Sequence, residues 1–242
     1  MKLHIIIGGT GVGKTSRSVS LALKTGVPVI VIDRIQTYPE LATGSGRPNP
    51  DELFGTTRLY LTERQVTDGE LSADQAYLLL VILLRKLENQ HDMVILEGGS
   101  ISLWKALFSS AELKRHQITI EYLTVANEPM YKQKVKHRIQ EMLRPQGQTL
   151  SMIEEIEILW NHQEQIDFVR TVVGYKEIID WCFANNITPK DIDNITNREL
   201  TYNHLTQKIL DAHINYSKKQ YIFFERILNN YQHNNSLIQL TQ

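Results

Sequence analysis

The stretch Leu3-His4-Ile5-Ile6-Ile7-Gly8-Gly9-Thr10-Gly11-Val12-Gly13-Lys14-Thr15 joins an apolar β-branched run to an octet, Gly8 to Thr15, that fits GxxxxGK(S/T). That pattern is the phosphate-cradling loop between a strand and a helix. Its glycines, Gly11 and Gly13 among them, let successive backbone N–H groups converge on oxyanions. Lys14 adds a point charge, and the Thr15 hydroxyl can hold Mg2+ at the positive end of the following helix. An ordinary glycine turn would share the glycines but not the context of a strand before and a helical pattern, Ser16 to Lys24, behind. A second apolar run, Val27 to Ile32, closes at Asp33. Strand, helix and strand make a βαβ unit with a right-handed parallel connection. Loop and Asp33 then share the carboxyl edge of one sheet, where open α/β folds bind ligands. The expected fold class is α/β, a P-loop NTPase-like parallel sheet flanked by helices.

Outward from this unit, 36–55 is rich in Gly, Pro, Thr and Ser and reads as an ordered loop of functional length. Ser72 with Gln75 makes a capping box for a helix to about Gln90. Met93 to Leu96 is a third strand, followed by Glu97-Gly98-Gly99-Ser100; Ile118 to Val125 is a fourth, ahead of a helix from Glu128 to Leu143. Beyond it the pattern is helical only: Ser151 with Glu154 opens a helix to Val169, another covers Tyr175 to Ala184, and Asn197 caps a last one reaching Leu228. The division expected is an α/β core over 1–145, a helical C-terminal part over 146–230 closing on the sheet edge, and a flexible polar tail over 231–242.

With 26 Lys and Arg against 27 Asp and Glu among 242 residues, the chain lacks the basic surface that bulk nucleic-acid binding requires. The single cysteine, Cys182, allows no internal disulfide and suits a small buried apolar group in a reducing compartment. The start MKLHIII has no signal-peptide pattern, and the longest apolar run, Tyr77 to Leu84, is too short to cross a bilayer. A cytoplasmic protein with no membrane partner is expected.

Three strand ends bring three polar clusters to one edge: Thr10 to Thr15, Asp33 to Gln36 and Glu97 to Ser102. Asp33 is placed to act as a general base or Mg2+ ligand, against the plainer role of a turn cap. Glu97 divides between holding Mg2+ and capping Gly98-Gly99. Most of the run Lys132 to Arg138 is solvated helix surface, yet two or more phosphate charges need cations besides Lys14, and Arg138 is the candidate. His213 and Tyr216 on the last helix can line a pocket or simply pack.

Together the octet, Val31-Ile32-Asp33-Arg34-Ile35-Gln36, Ala42-Thr43-Gly44-Ser45-Gly46-Arg47-Pro48, Ile95-Leu96-Glu97-Gly98-Gly99-Ser100-Ile101-Ser102-Leu103 and Gly174-Tyr175 resemble the bacterial adenylate isopentenyltransferases, the cytokinin synthases. The resemblance covers Met1 to about Tyr175. It implies transfer of a dimethylallyl group from dimethylallyl diphosphate to N6 of AMP with loss of diphosphate, and Mg2+ as cofactor. It implies further that Gly11, Gly13, Lys14, Thr15 and Arg138 bind the diphosphate, Thr15 also the metal. Thr10 would lie beside the reacting carbon and Asp33 take the N6 proton. Asp33, Gln36, Ser45 and Ser100 would contact AMP, and Val173, Tyr175 and His213 would line the prenyl pocket. Members that use a hydroxylated donor carry an acidic residue where this chain has Val173, together with a His on the last helix, so dimethylallyl is the expected donor. Trp160, Tyr175, Trp181 and Phe183 are further candidate walls, for which core packing is the plainer role. Two other enzymes share the loop: a tRNA dimethylallyltransferase, similar to longer and more basic chains, and a small-molecule kinase with Asp33 as base and Arg138 or Arg144 in a lid.

Overall fold

The computed structural model describes residues 1–147, 149–196, 198–232 and 239–241. Its centre is β1 (Lys2–Gly8), whose Ile5, Ile6 and Ile7 are wholly buried. An unbroken apolar run of this kind marks a parallel strand covered on both faces. Helix α1 (Lys14–Thr25) starts at Gly13, held in the left-handed region at φ 106°, and stops at Gly26, left-handed at φ 70°. Strand β2 (Val29–Val31) completes the βαβ unit. The chain then runs through the short helix α2 (Ala42–Ser45), β3 (Arg58–Leu59), α3 (Ala73–Glu88), β4 (Met93–Glu97), α4 (Ile101–Phe108), β5 (Gln117–Leu123) and α5 (Glu128–Leu143).

The strands lie in the order β3-β2-β4-β1-β5, all parallel. Register does the positioning: Ile6 and Val31 both pair with Glu97, so the chain leaves β1, β2 and β4 at one level, and Gly9, Asp33 and Gly98 emerge on one edge. The Ser72 capping box forms as expected, with Gln75 N on Ser72 Oγ at 3.2 Å and Ser72 N on Gln75 Oε1 at 3.1 Å.

The helical half differs in detail. The run expected from Ser151 to Val169 breaks into α6 (Met152–Leu159) and α7 (Gln163–Val169), because His162 adopts an extended backbone and redirects the chain. After α8 (Tyr175–Asn185) comes α9 (Arg198–Gln232), 35 residues long, which runs back along α8, α5, α4 and β1. Its Leu205, Ile209 and Phe224 are fully buried in the main core. Asn197, expected to cap it, lies outside the described residues. Strands do not end with β5: within the segment 231–242, residues Gln239–Thr241 form β6, paired parallel to β5 from Thr119↔Gln239 to Glu121↔Thr241. Cys182 is buried with its thiol pushed up to about 12 by desolvation, as a packing residue should be. Trp160 and Phe183 pack on one another at 5.1 Å between ring centroids, and Trp181 against the core. Among the described residues no helix is long and apolar enough to cross a membrane.

Candidate active site

A cavity of ≈1150 Å³ opens at the carboxyl edge of the sheet, lined by the octet, the end of β2, the segment Ala42 to Asn49, Glu97 to Gly99, the inner face of α5 and the middle of α9. Thr10, Gly11, Gly13, Lys14, Thr15, Asp33, Gln36, Ser45, Arg138, His213 and Tyr216 all lie on its wall. Ser100 does not: it precedes α4, with its hydroxyl 3.4 Å from Ser102 Oγ.

Lys14 curls over the loop, its ammonium donating to Gly9 O at 2.7 Å and Gly8 O at 3.2 Å. Burial lowers its pKa, opposed by the nearby Glu97 and Asp33 carboxylates. An anion set against this group therefore meets little competing water. Arg138 enters from α5 and donates to Gly46 O at 3.4 Å, while burial holds its pKa below the ordinary value. Of the cationic run Arg138 and Lys134 both line the cavity, while Lys132 pairs with Glu128 on the outside.

Asp33 fills the turn-cap role weighed for it and also lines the cavity. Its Oδ1 accepts from Ile35 N at 2.8 Å and Gln36 N at 3.4 Å, an Asx cap on the turn that follows. The carboxyl is nevertheless desolvated, and burial raises its pKa despite those two bonds. A carboxylate tuned upward and facing a cavity is suited to take a proton near neutral pH. Glu97 lines the cavity, but its main contact is one the sequence did not suggest. Its Oε2 receives Arg58 Nη2 at 2.6 Å, a pair with both side chains almost fully buried. Arg58 comes from β3, two residues too short to show any alternation in the sequence.

The segment Ala42 to Arg47 is held from behind. Glu155 on α6 accepts Thr43 N at 2.7 Å and Gly44 N at 3.2 Å, while Tyr175 donates its hydroxyl to Glu155 at 2.5 Å and accepts Gly44 N at 3.1 Å. A Cβ on Gly44 would sit 2.2 Å from the Tyr175 ring, so only glycine allows this approach. Tyr175 is thus fully buried behind α2, and neither it nor the half-buried Val173 reaches the cavity wall. In front, Gln36 donates to Ser45 O at 3.3 Å, and Arg47 donates to Gln36 O at 3.0 Å with its guanidinium stacked 3.8 Å over Tyr60.

The last helix supplies the remaining wall. His213 is pushed down to about 4 by burial and by Arg138, so it is neutral, and its Nδ1 has no hydrogen-bond partner among the described residues. Tyr216 is pushed up to about 12 by burial and the neighbouring Asp33. Gln220, which nothing in the sequence singled out, is buried and bonded to Thr10 and Gly99. Its only signal would have been the helical spacing from His213 and Tyr216.

Hard oxygens dominate what a cation would meet. Thr15 stands one residue into α1, with Asp33 and Glu97 on the same wall, and no cluster of three or more His, Cys, Asp or Glu suited to a metal occurs among the described residues. That set fits Mg2+ held partly by substrate phosphates and not a closed protein cage.

Comparison with known proteins bears on the family and the fold. The family model described as isopentenyl transferase matches residues 1–234. An adenylate dimethylallyltransferase of Agrobacterium vitis is 39% identical over 193 residues, 78% of each chain. Another so named, of Allorhizobium ampelinum, is 32% identical over 221 residues, 91% of this chain and 92% of that one. Among solved structures, a tRNA isopentenylpyrophosphate transferase of Bacillus halodurans superposes with a TM-score of 0.69 at 16% identity, covering 99% of this chain and 89% of that one. A eukaryotic dimethylallyltransferase acting on tRNA gives a TM-score of 0.67 at 15% identity over 91% and 69%. At such identities the structures speak for the fold alone.

Proposed function

The chain belongs to the isopentenyl transferase family, and on that premise we infer that it is an adenylate dimethylallyltransferase. It moves the dimethylallyl group from dimethylallyl diphosphate to N6 of AMP and releases diphosphate. The observation that carries this reading is the shared cavity. A desolvated, upward-tuned Asp33 faces the same space as the phosphate loop, Lys14 and Arg138. A kinase with Asp33 as base would share that geometry, and the 39% identity to a named adenylate dimethylallyltransferase decides between the two.

The adenine amino group is a poor nucleophile because its lone pair is delocalised into the ring. Asp33 accepts an N6 proton as the N6–C bond forms, and the C–O bond to diphosphate breaks with its electron pair leaving on oxygen. Positive charge develops on the allylic carbon beside Thr10. Lys14, Arg138 and the loop N–H groups of Gly11 and Gly13 meet the negative charge that gathers on the departing diphosphate, each contact worth roughly 3 to 4 kcal/mol on the scale of oxyanion-hole deletions. Thr15 would hold the Mg2+ that neutralises part of that charge when bound. Gln36 and Ser45 line the same cavity and would contact the adenine, and bound substrates would have to exclude the water that could capture the cation.

For the donor, the resemblance places an acidic residue at position 173 in users of the hydroxylated donor; here Val173 supplies no acid and stands off the cavity wall, while His213 does line the cavity. Preference for dimethylallyl over the hydroxylated donor therefore rests on that resemblance and not on a contact of Val173, and comparable kcat/KM for the two would overturn it. AMP is taken as acceptor over ADP and ATP. The buried, unpaired Cys182 accords with a reducing cytosol.

The solved relatives act on tRNA, and since this chain covers 89% of the Bacillus halodurans chain, length does not separate the two substrates. Identity does: 39% to a named adenylate enzyme against 16% to the tRNA enzyme. Radiolabelled donor offered with AMP, ADP, ATP and unmodified tRNA, with Mg2+ and after chelation, tests the whole reading. Prenyl-AMP is expected, and is expected to vanish with Asp33→Asn. Label in tRNA but not AMP, or phosphate transfer from ATP with no use of the prenyl donor, would reverse it.

A further inference from the structure

Thr10 is held on every side by groups from outside its own loop. Its carbonyl accepts the Tyr131 hydroxyl at 2.7 Å, its N–H donates to Gln220 Oε1 at 2.8 Å, and its own hydroxyl lies 3.2 Å from that same oxygen. Gln220 reaches in from α9, buried to 1% exposure, and its Nε2 donates to Gly99 O at 2.7 Å. Side-chain amides are often ambiguous in orientation, but this one is not. Thr10 N–H can only donate and Gly99 O can only accept, so Oε1 must face the loop and Nε2 the end of β4.

A consequence for chemistry follows. An amide oxygen has no proton to give, so the Thr10 hydroxyl hydrogen must point at Gln220. The lone pairs of Thr10 Oγ1 are left to face the cavity. We propose that Gln220 is a positioning residue for the prenyl transfer: by fixing the direction of the Thr10 hydroxyl proton, it makes Oγ1 an acceptor toward the reacting carbon and the amine. Without it the hydroxyl could rotate and present its proton to a centre that is gaining positive charge. The proposal rests on the prenyl-transfer reading and on Thr10 standing beside the reacting carbon.

The test is a double-mutant cycle between Gln220→Met, nearly isosteric and without hydrogen-bonding atoms, and Thr10→Val, which removes only the hydroxyl. Each single change is expected to lower kcat on the order of 100-fold, the scale of losing one directed polar contact, with KM for both substrates moving less than about threefold. The double variant is expected to be no slower than the slower single, since both remove one device. A Gln220→Met enzyme with unchanged kcat, or losses that multiply in the double variant, would overturn the proposal. If Gln220→Met does not fold, Gln220→Glu decides. It keeps the acceptor for Thr10 and, when protonated, a donor for Gly99, so it is expected to keep kcat within about tenfold of the parent, while a loss as deep as that of Thr10→Val would overturn the proposal. A parent protein that transfers no prenyl group at all would refute the prenyl-transfer reading itself, which separates that failure from this one.

Discussion

At Asp33, local structure draws on one oxygen of the carboxyl. Oδ1 caps the turn, and an asparagine keeps an oxygen there, so Asp33→Asn removes the base while leaving the cap. Activity is expected to fall by roughly 10²- to 10⁴-fold, the usual contribution of a positioned general base. Stability should move the other way. Burial raises the folded pKa above the unfolded value of about 3.9, so stability present below that value is given up as pH rises through the folded pKa, and at pH 7 the ionised group is a cost. Thermal melts of Asp33→Asn at pH 7 should therefore show a Tm equal to or above the parent's. The acid limb of kcat/KM for AMP should lie above the ordinary carboxylate range, and a limb near 4 would contradict that tuning. His213, already neutral with its pKa about 4, should leave that limb unmoved in His213→Asn.

Between elements, the clearest device is the clasp of α6 and α8 on α2. Tyr175→Phe removes a charge-assisted hydrogen bond to Glu155 and a partner of Gly44, and should cost about 1.5 to 3 kcal/mol of stability, read by denaturant unfolding. Because α2 carries Ser45 and abuts Gln36, KM for AMP should rise several-fold with a smaller change in kcat. Gly44→Ala should do worse, by collision with the Tyr175 ring. Here the sequence was only half legible. Ala42-Thr43-Gly44-Ser45-Gly46-Arg47-Pro48 and Gly174-Tyr175 stood out as shared motifs, but that one fastens the other depends on Glu155. A glutamate in an amphipathic helix looks like any solvated carboxylate until its helix is packed. Arg58 was hidden for a similar reason, its strand being two residues long. The core strands were readable because burial on both faces forces continuous apolar runs, as in Leu3 to Ile7.

For the whole molecule, the division into an α/β core and a helical C-terminal part describes sequence order better than packing. Helix α9 lies against β1, α4, α5 and α8, and buries Phe224, Leu205 and Ile209 in the same core as Leu3 and Leu96. A fragment ending at residue 196 should therefore expose that core, bind a hydrophobic dye and lose cooperative thermal unfolding; a sharp melt like the parent's would show that the first part stands alone. Near-zero net charge on the full chain also leaves little long-range attraction for a polyanion.

The bond between Thr10 and Gln220 spans 210 positions, almost the length of the chain. During synthesis at about 5 to 20 residues per second, the loop would leave the ribosome roughly 10 to 40 s before its partner. A nascent or prematurely terminated chain without α9 lacks both the partner that orients Thr10 and part of the core on which the loop is built. Turnover is thereby deferred until the last helix has been made.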